Sequence, residues 1–463
     1  MTKVHLILTA FCLTISATPL FGQSVTINWT NTHQVIDGFG ANCSDLAACD
    51  GMTAAQAQAA FDPVNGIGLS LLRDVIPSDG SCSGACNFES ETPAQYIIKY
   101  GGKVWATPWS PPAPMKSNGS TICNTGSGKS TLNTSSYGAF ASYVASFATQ
   151  FKAHYGAPLY AISVQNEPNF CPTTYDGTTW NSTQIDSFVK SNLGPTLAGT
   201  GVKIVIPEGS SWDNLGSLAD TCMTDSSCLQ YVGIVANHDY TMQNGLNPGS
   251  VVQSYSNLGS SAHLWETETA CLQPTSCPLG AAFNGSLQDG INWAYIIHLY
   301  LTKANVSAWH YWRLFNSSGA NNNEALIQSD GTVATRFYIL GNWSKFVRPG
   351  WVRIDATSNP ASGVYVSAFK DPVAGGFAVV AVNQNSSSVS LPISLSGFPT
   401  VDSVTPTVTS SGTNLKDQEA VSVSSNSFTY SLPAMSVVTF HGATSTNSGK
   451  NLTPPTSLTA TVH

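Results

Sequence analysis

Two stretches end an apolar run on acidic residues: YAISVQNEPNF, with Glu167 between Asn166 and Pro168, and AHLWETETACL, with Glu266 and Glu268. Two carboxyl groups facing each other can cut a glycosidic bond, one protonating the leaving oxygen while the other attacks the anomeric carbon. A Glu at a strand end is more often a surface or ion-pair residue. The neighbours of Glu167 argue otherwise: the Asn166 amide suits a sugar 2-hydroxyl, and Pro168 stiffens the turn. In the second stretch, period-two alternation puts Glu266 and Glu268 on one face, so parity does not choose between them. Glu268 lies nearer the catalytic rim and is preferred as the attacking group, with Glu266 pointing into the mouth of the fold or pairing below it.

Other residues suit the same chemistry. Arg73, in LLRDV, can hold a carboxylate ionised through charge-assisted hydrogen bonds. His238 and Tyr240, in ANHDY, follow an apolar run and are placed to orient it. Trp105, Trp109, Trp265, Trp309 and Trp312 lie on or just past apolar runs, where indole faces offer platforms to the C–H faces of sugars. Core packing competes for Trp105, Trp265 and Trp309. Trp109, in the Pro-flanked TPWSPPAPM, and Trp312 are the better ligand contacts. CNTGSGKST imitates a phosphate loop, but Cys123 stands where the first Gly is required and no strand leads into it. HExxH and GxSxG motifs are absent, and neither a metal nor a cofactor is expected.

Elements that position these residues are legible as well. Short β-rich runs at 34–40, 68–75, 103–108, 159–166, 202–207, 232–236, 262–267 and 307–312 alternate with amphipathic segments. In the segment 137–155, Phe140, Val144, Phe147 and Phe151 form one apolar stripe at helical spacing. Further helices are expected at 54–61, 182–198, 289–302 and 335–347, the last closed by Arg348-Pro349-Gly350. This α/β alternation fits a (β/α)8 TIM barrel over residues 34–350 better than a doubly wound sheet, for which no phosphate-binding turn is present. Residues 351–442 read instead as alternating strands at 363–369, 376–383, 389–395, 401–409 and 427–440 without helical period, a side β-sandwich to which 23–33 adds a strand from the other chain end. The stretch 443–463 is linker-like, and its PPTSLTATV is similar to the opening of a fibronectin type III module, as if leading into a truncated one.

Composition narrows partners and compartment. Only 10% of residues are charged, yet 42% are hydrophobic, enough to bury a large core. A net charge of −8 without basic runs argues against nucleic acid and anionic membranes, and a nearly uncharged polar surface suits neutral hydroxylated ligands. Residues 1–22 have the pattern of a secretory signal peptide, which predicts an extracellular protein, expected here as a monomer. Cys12 leaves with that leader and an even number remains, read as disulfides. Neighbours in sequence pair as 43/49, 82/86, 222/228 and 271/277, leaving 123 with 171 as the long bridge.

Taken in order, QVIDGFGA, VWATPWSPPAPMKSNG, VQNEP, HDY, LWETE, NWSKFVRPGWVRID and LPAMSVVTF resemble glycoside hydrolase family 30, over residues 25–442. The resemblance implies a barrel fused to a sandwich built from both chain ends, and a retaining mechanism. It assigns Glu167, of Asn-Glu-Pro, as acid/base and Glu268, closing Trp-x-Thr-Glu, as nucleophile. Asn166, Trp109, His238, Tyr240, Trp312 and Arg73 are the expected substrate-binding residues. The SKFVRPGWVRID and MKSNG segments look more like the xylanase branches, so the expected partner is a polysaccharide, β-1,4-xylan. Bacterial glucuronoxylanases place an Arg just past strand eight for the glucuronate carboxylate. Here Arg313 stands at the strand end and Asn316 near that Arg's expected place, so neutral xylan stands beside glucuronate-directed cutting. A β-1,6-glucanase, β-1,6-galactanase or glucosylceramidase-like activity is the alternative within the family. An inactive carbohydrate-binding protein is the alternative outside it.

Overall fold

The structure, a computed structural model, describes residues 20–21, 24–43, 49, 51–88, 90–126, 128–240, 262–271, 285–316 and 324–445. Most of the expected signal peptide and most of the expected linker therefore lie outside the described residues. Eight parallel strands run β1 (Gly38–Asn42), β2 (Leu71–Ile76), β3 (Lys103–Pro108), β4 (Ala161–Ser163), β5 (Lys203–Gly209), β6 (Val232–His238), β7 (His263–Thr269) and β8 (Ala308–Asn316). They pair in chain order, and β8 pairs with both β7 and β1, which closes the barrel. All eight expected strands are present. One boundary moves: Gln34 and Val35 end a sandwich strand, Val25–Val35, and the barrel begins at Gly38.

Side chains that point inward fill the barrel. Leu71, Trp105, Val205, Ile234, Ala236, Trp265 and Ala308 form a separate buried cluster there. Trp105 and Trp265 are thus core residues, and Trp309 packs outward against Trp293 of the helix layer. None of the three is available to a ligand. Helix Tyr137–Tyr155 buries its predicted stripe of Phe140, Val144, Phe147 and Phe151, and stops at Gly156, whose φ of 70° only glycine adopts readily. The expected helix at 182–198 is one run with a wide turn, Val189–Leu193, just before Pro195, whose missing N–H interrupts the ladder. Helices Glu91–Lys99 and Leu215–Thr224 complete the outer layer and escaped the sequence reading. Each is short, and the first carries Pro93 in its opening turn.

Strand Val25–Val35 lies between Val389–Ser396 and Val352–Ala356, so the sandwich is made from both ends of the described chain. Its expected last strand divides at Pro433, which has no amide to donate, into Ser427–Leu432 and Ser436–Ala443. Helix Thr335–Ser344 joins sandwich to barrel: the Asn342 amide donates to Thr409 Oγ1 (2.7 Å), and Thr439 Oγ1 donates to the Asn342 carbonyl (2.7 Å).

Disulfides join Cys43–Cys49, Cys82–Cys86, Cys123–Cys171 and Cys222–Cys228. Cys271 is also disulfide-bonded, whereas Cys277, its expected partner, lies outside the described residues. The long bridge closes 48 residues and ties the loop after β3 to the loop after β4. Chain entropy then predicts that Cys123→Ser with Cys171→Ser costs about 3–4 kcal/mol, against about 2 kcal/mol for opening a six-residue bridge. Urea unfolding of the two double variants measures both, and an equal or smaller loss for the long bridge contradicts the prediction.

Candidate active site

Arg73 enters the mouth of the barrel from β2 and is completely buried. Leu71 fills the barrel one alternation below it, so Arg73 must point the same way. Its guanidinium reaches Glu268 (Nη1 to Oε2, 2.5 Å), Asn166 (Nη2 to Oδ1, 2.7 Å), Glu208 (Nη2 to Oε1, 2.5 Å) and Thr107 (Nε to Oγ1, 3.3 Å). The cation also lies 4.5 Å from the centre of the Trp109 ring. With its carbonyl oxygen engaged by Arg73, the Asn166 amide offers N–H donors to a ligand.

Glu268 departs from the parity expected for β7. Glu266 pairs with Trp309 and Thr269 with Tyr311, while on the other side Asn237 and His238 face Glu266 and Glu268. Both neighbours therefore see one extra residue in β7, a bulge. Trp265 points into the barrel, and the bulge turns Glu268 inward as well. Glu266 does not share its face. Instead its buried carboxyl fills the bulge, accepting the N–H of Glu268 (2.9 Å) and of His310 (3.1 Å). Burial raises its pKa well above the ordinary value, and the nearby Asp239 charge adds to this.

A second bulge supplies Glu208, a site residue that the sequence reading missed. Pro207 pairs with Ala236 and Gly209 with Asn237, which leaves Glu208 extra, at a φ of 59°, with its side chain turned into the mouth. Besides Arg73, it accepts Thr107 Oγ1–H at 2.9 Å and faces His238 Nε2 at 3.4 Å. Burial opposes its ionised form, but Arg73 and His238 outweigh burial and hold its pKa low. Nothing in VIPEG distinguishes this Glu from one in an ordinary turn.

His238 has carboxylates on both sides: Nδ1 is 3.2 Å from Glu167 and 3.6 Å from Glu268, and Nε2 is 3.4 Å from Glu208. Glu208 and Glu268, both paired with Arg73 as carboxylates, only accept, so Nε2 facing the first and Nδ1 facing the second both carry hydrogen and the ring is an imidazolium. Burial works against that charge, but Glu268, Glu167 and Glu208 overcome it and raise the pKa to about 10. Tyr240 donates to Glu268 Oε1 at 2.7 Å. Glu167, at a φ of 45°, follows β4 with its side chain 12% exposed, and one of its oxygens lies within 4.8 Å of one of Glu268. Glu167, His238 and Glu268 are close enough to ligate a metal, but a ring protonated on both nitrogens has no lone pair for one.

Glu167 and Glu268 face a cavity of about 540 Å³ whose walls include Asn166, Trp109, Tyr240, Trp312 and Arg313. Arg73 and His238 stand behind these walls, so among the expected substrate-binding residues those two contact carboxylates rather than the open cleft. Trp109 and Trp312 have ring centres 6.2 Å apart. Glu324, another residue missed from sequence, accepts Trp312 Nε1–H (2.7 Å) and pairs with Arg313 (3.3 Å). Asn316 is buried and bonds Gln328, away from the cleft walls.

Residues 101–327 match O-Glycosyl hydrolase family 30, and residues 350–440 match the Glycosyl hydrolase family 30 beta sandwich domain. The chain is similar to glucuronoxylanase XynC of Bacillus subtilis (strain 168), with 32% identity over 91% of this chain and 92% of the relative. The X-ray structure of Xyn30A, a glycoside hydrolase family 30 subfamily 8 xylanase from Clostridium acetobutylicum, superimposes with a TM-score of 0.76. It is 30% identical and covers 91% of this chain and 99% of that one. An endo-1,6-beta-D-glucanase of Neurospora crassa is 24% identical over 70% of this chain and 73% of its own length.

Because the folded pKa of His238 lies above the ordinary 6.5, its charge adds stability that is complete below about pH 6.5 and is lost as pH rises through about 10. In NMR of histidine-labelled protein, His238 should show no titration step between about pH 5 and 8, the range of an unperturbed ring. Glu208→Gln removes one of the negative partners and should lower the pKa of the ring. A wild-type midpoint near 6.5 contradicts the imidazolium assignment.

Proposed function

The chain belongs to glycoside hydrolase family 30, and from that premise we propose a secreted retaining enzyme that cleaves β-1,4-xylan, with Glu268 as nucleophile and Glu167 as acid/base. The observation that carries the mechanism is that one carboxylate oxygen of Glu167 and one of Glu268 lie within 4.8 Å of each other, with Arg73 and Tyr240 both donating to Glu268. Retention needs carboxyls about 5–5.5 Å apart, whereas inversion needs about 6.5–9.5 Å to admit a water. Burial and the Glu167 charge push the Glu268 pKa up, while His238, Arg73 and the Tyr240 hydroxyl oppose them. Two donors on Glu268 favour the negative charge that a nucleophile needs.

Glu268 attacks the anomeric carbon, the bond to the leaving oxygen breaks, and Glu167 transfers its proton to that oxygen. In the second step Glu167 takes a proton from water, whose oxygen displaces Glu268 and restores its carboxylate. Asn166, held by Arg73, is suited to the 2-hydroxyl of the attacked sugar. Trp109 and Trp312 provide apolar walls for the ring.

The xylanase relatives support xylan as substrate. A neutral backbone suits this cleft better than a glucuronate branch, because the Arg313 guanidinium already faces the Glu324 carboxylate. Disulfides fit an oxidising compartment, and among the described residues no helix is long and apolar enough to cross a membrane.

Glu268→Gln should lower turnover by about four orders of magnitude or more while the variant still folds and unfolds cooperatively, and full activity in this variant rejects the assignment. NMR of the first product should show the β-anomer. Sugar release from beechwood xylan, pustulan (a β-1,6-glucan) and a β-1,6-galactan tests the substrate. Product from xylan is expected, and product only from either β-1,6-linked polymer overturns that choice.

A further inference from the structure

Phe170 and Tyr175 are two large apolar side chains left in water, 47% and 37% exposed, and both line the cleft. A loosely packed loop would make this unremarkable, but theirs is tightly bound to its neighbour. Cys171 is linked to Cys123 beside Phe170. Main-chain N–H groups of Asn124, Gly177 and Thr179 donate to the carbonyls of Pro172, Thr121 and Ser130, each at 3.0 Å. Lys116, 3% exposed, crosses both segments, its Nζ donating to the carbonyls of Thr121 (2.8 Å) and Gly177 (2.6 Å). The two rings are therefore presented by a fixed scaffold.

Their place around the barrel says which sugar they meet. Phe170 and Tyr175 follow Glu167 from β4, and the Phe170 N–H donates to the Glu167 carbonyl at 2.9 Å. Glu268, Trp312 and Arg313 belong to β7 and β8, across the mouth. A general acid sits beside the oxygen that departs, and a nucleophile approaches from the opposite side of the anomeric carbon. Rings just past the acid adjoin the leaving portion of the chain. We infer that Phe170 and Tyr175 form the platform for the leaving-group sugar, an uncharged β-linked pyranose stacked through its C–H face, pre-ordered by the Cys123–Cys171 clamp. This rests on Glu167 being the acid. Because the platform is already rigid, little ordering entropy opposes the contact, and its binding energy is available to the cleavage step.

The test compares a substrate that puts a sugar in this position with one that does not. Xylohexaose places a sugar there, whereas p-nitrophenyl β-xylobioside, cut at its aryl bond, places a nitrophenol. Phe170→Ala with Tyr175→Ala should lower the ratio of kcat/KM for xylohexaose over the aryl glycoside by about tenfold, and Phe170→Tyr with Tyr175→Phe should hold it within about twofold of wild type. An unchanged ratio, or equal losses on both substrates, overturns the platform. Gentiohexaose and p-nitrophenyl β-gentiobioside are measured in parallel. If the wild type cleaves only this second pair, the xylan reading falls and the same ratio judges the platform there. Turnover of none of the four overturns both.

Discussion

One buried guanidinium holds the catalytic end of this barrel together. Arg73 sits where β2 opens into the mouth, without solvent, and touches side chains from β3, β5, β7 and the turn after β4. A cation so placed is tolerable only if it is paired and hydrogen-bonded. Glu208 and Glu268 supply the charges. His238 repeats the pattern beside it, as a second buried cation between Glu167 and Glu208. Three carboxyl groups, those of Glu167, Glu208 and Glu268, thus surround these two cations.

Neither carboxylate would be there on a regular strand. β5 and β7 each carry one extra residue at the rim, and each bulge turns inward a Glu that alternation would send toward the helix layer. The β7 bulge exposes backbone N–H groups to a dry environment, where an unpaired amide is costly. Glu266 meets that need by accepting from two of them. Its role is thus to stabilise the distortion that aims Glu268, which explains why two similar glutamates two positions apart have different surroundings.

This also marks how far the sequence could be read. The eight strands, the long helix and the change to a sandwich after Gly350 were legible because period and punctuation are local. Glu167 was legible through its Asn and Pro neighbours. Parity failed to separate Glu266 from Glu268 because it assumes unbroken pleating, and the family resemblance made the choice. Glu208 was invisible for the same reason. Trp105 and Trp265 look like Trp109 in sequence but sit one layer lower, where the barrel is closed, and only depth in the fold separates filler from wall. The low charge content has a structural counterpart too: several of its few charged groups are concentrated in one buried cluster.

The central claim is that Glu268, not Glu266 or Glu167, bonds to the sugar. Incubation with 2-deoxy-2-fluoro-β-xylobiosyl fluoride, followed by proteolysis and fragment-ion mass spectrometry, tests it directly. The account predicts a single covalent fluoroxylobiosyl adduct on the Glu268 carboxyl of LWETE. An adduct on Glu266 or Glu167, or turnover of the reagent to the inverted sugar with no adduct, would contradict it.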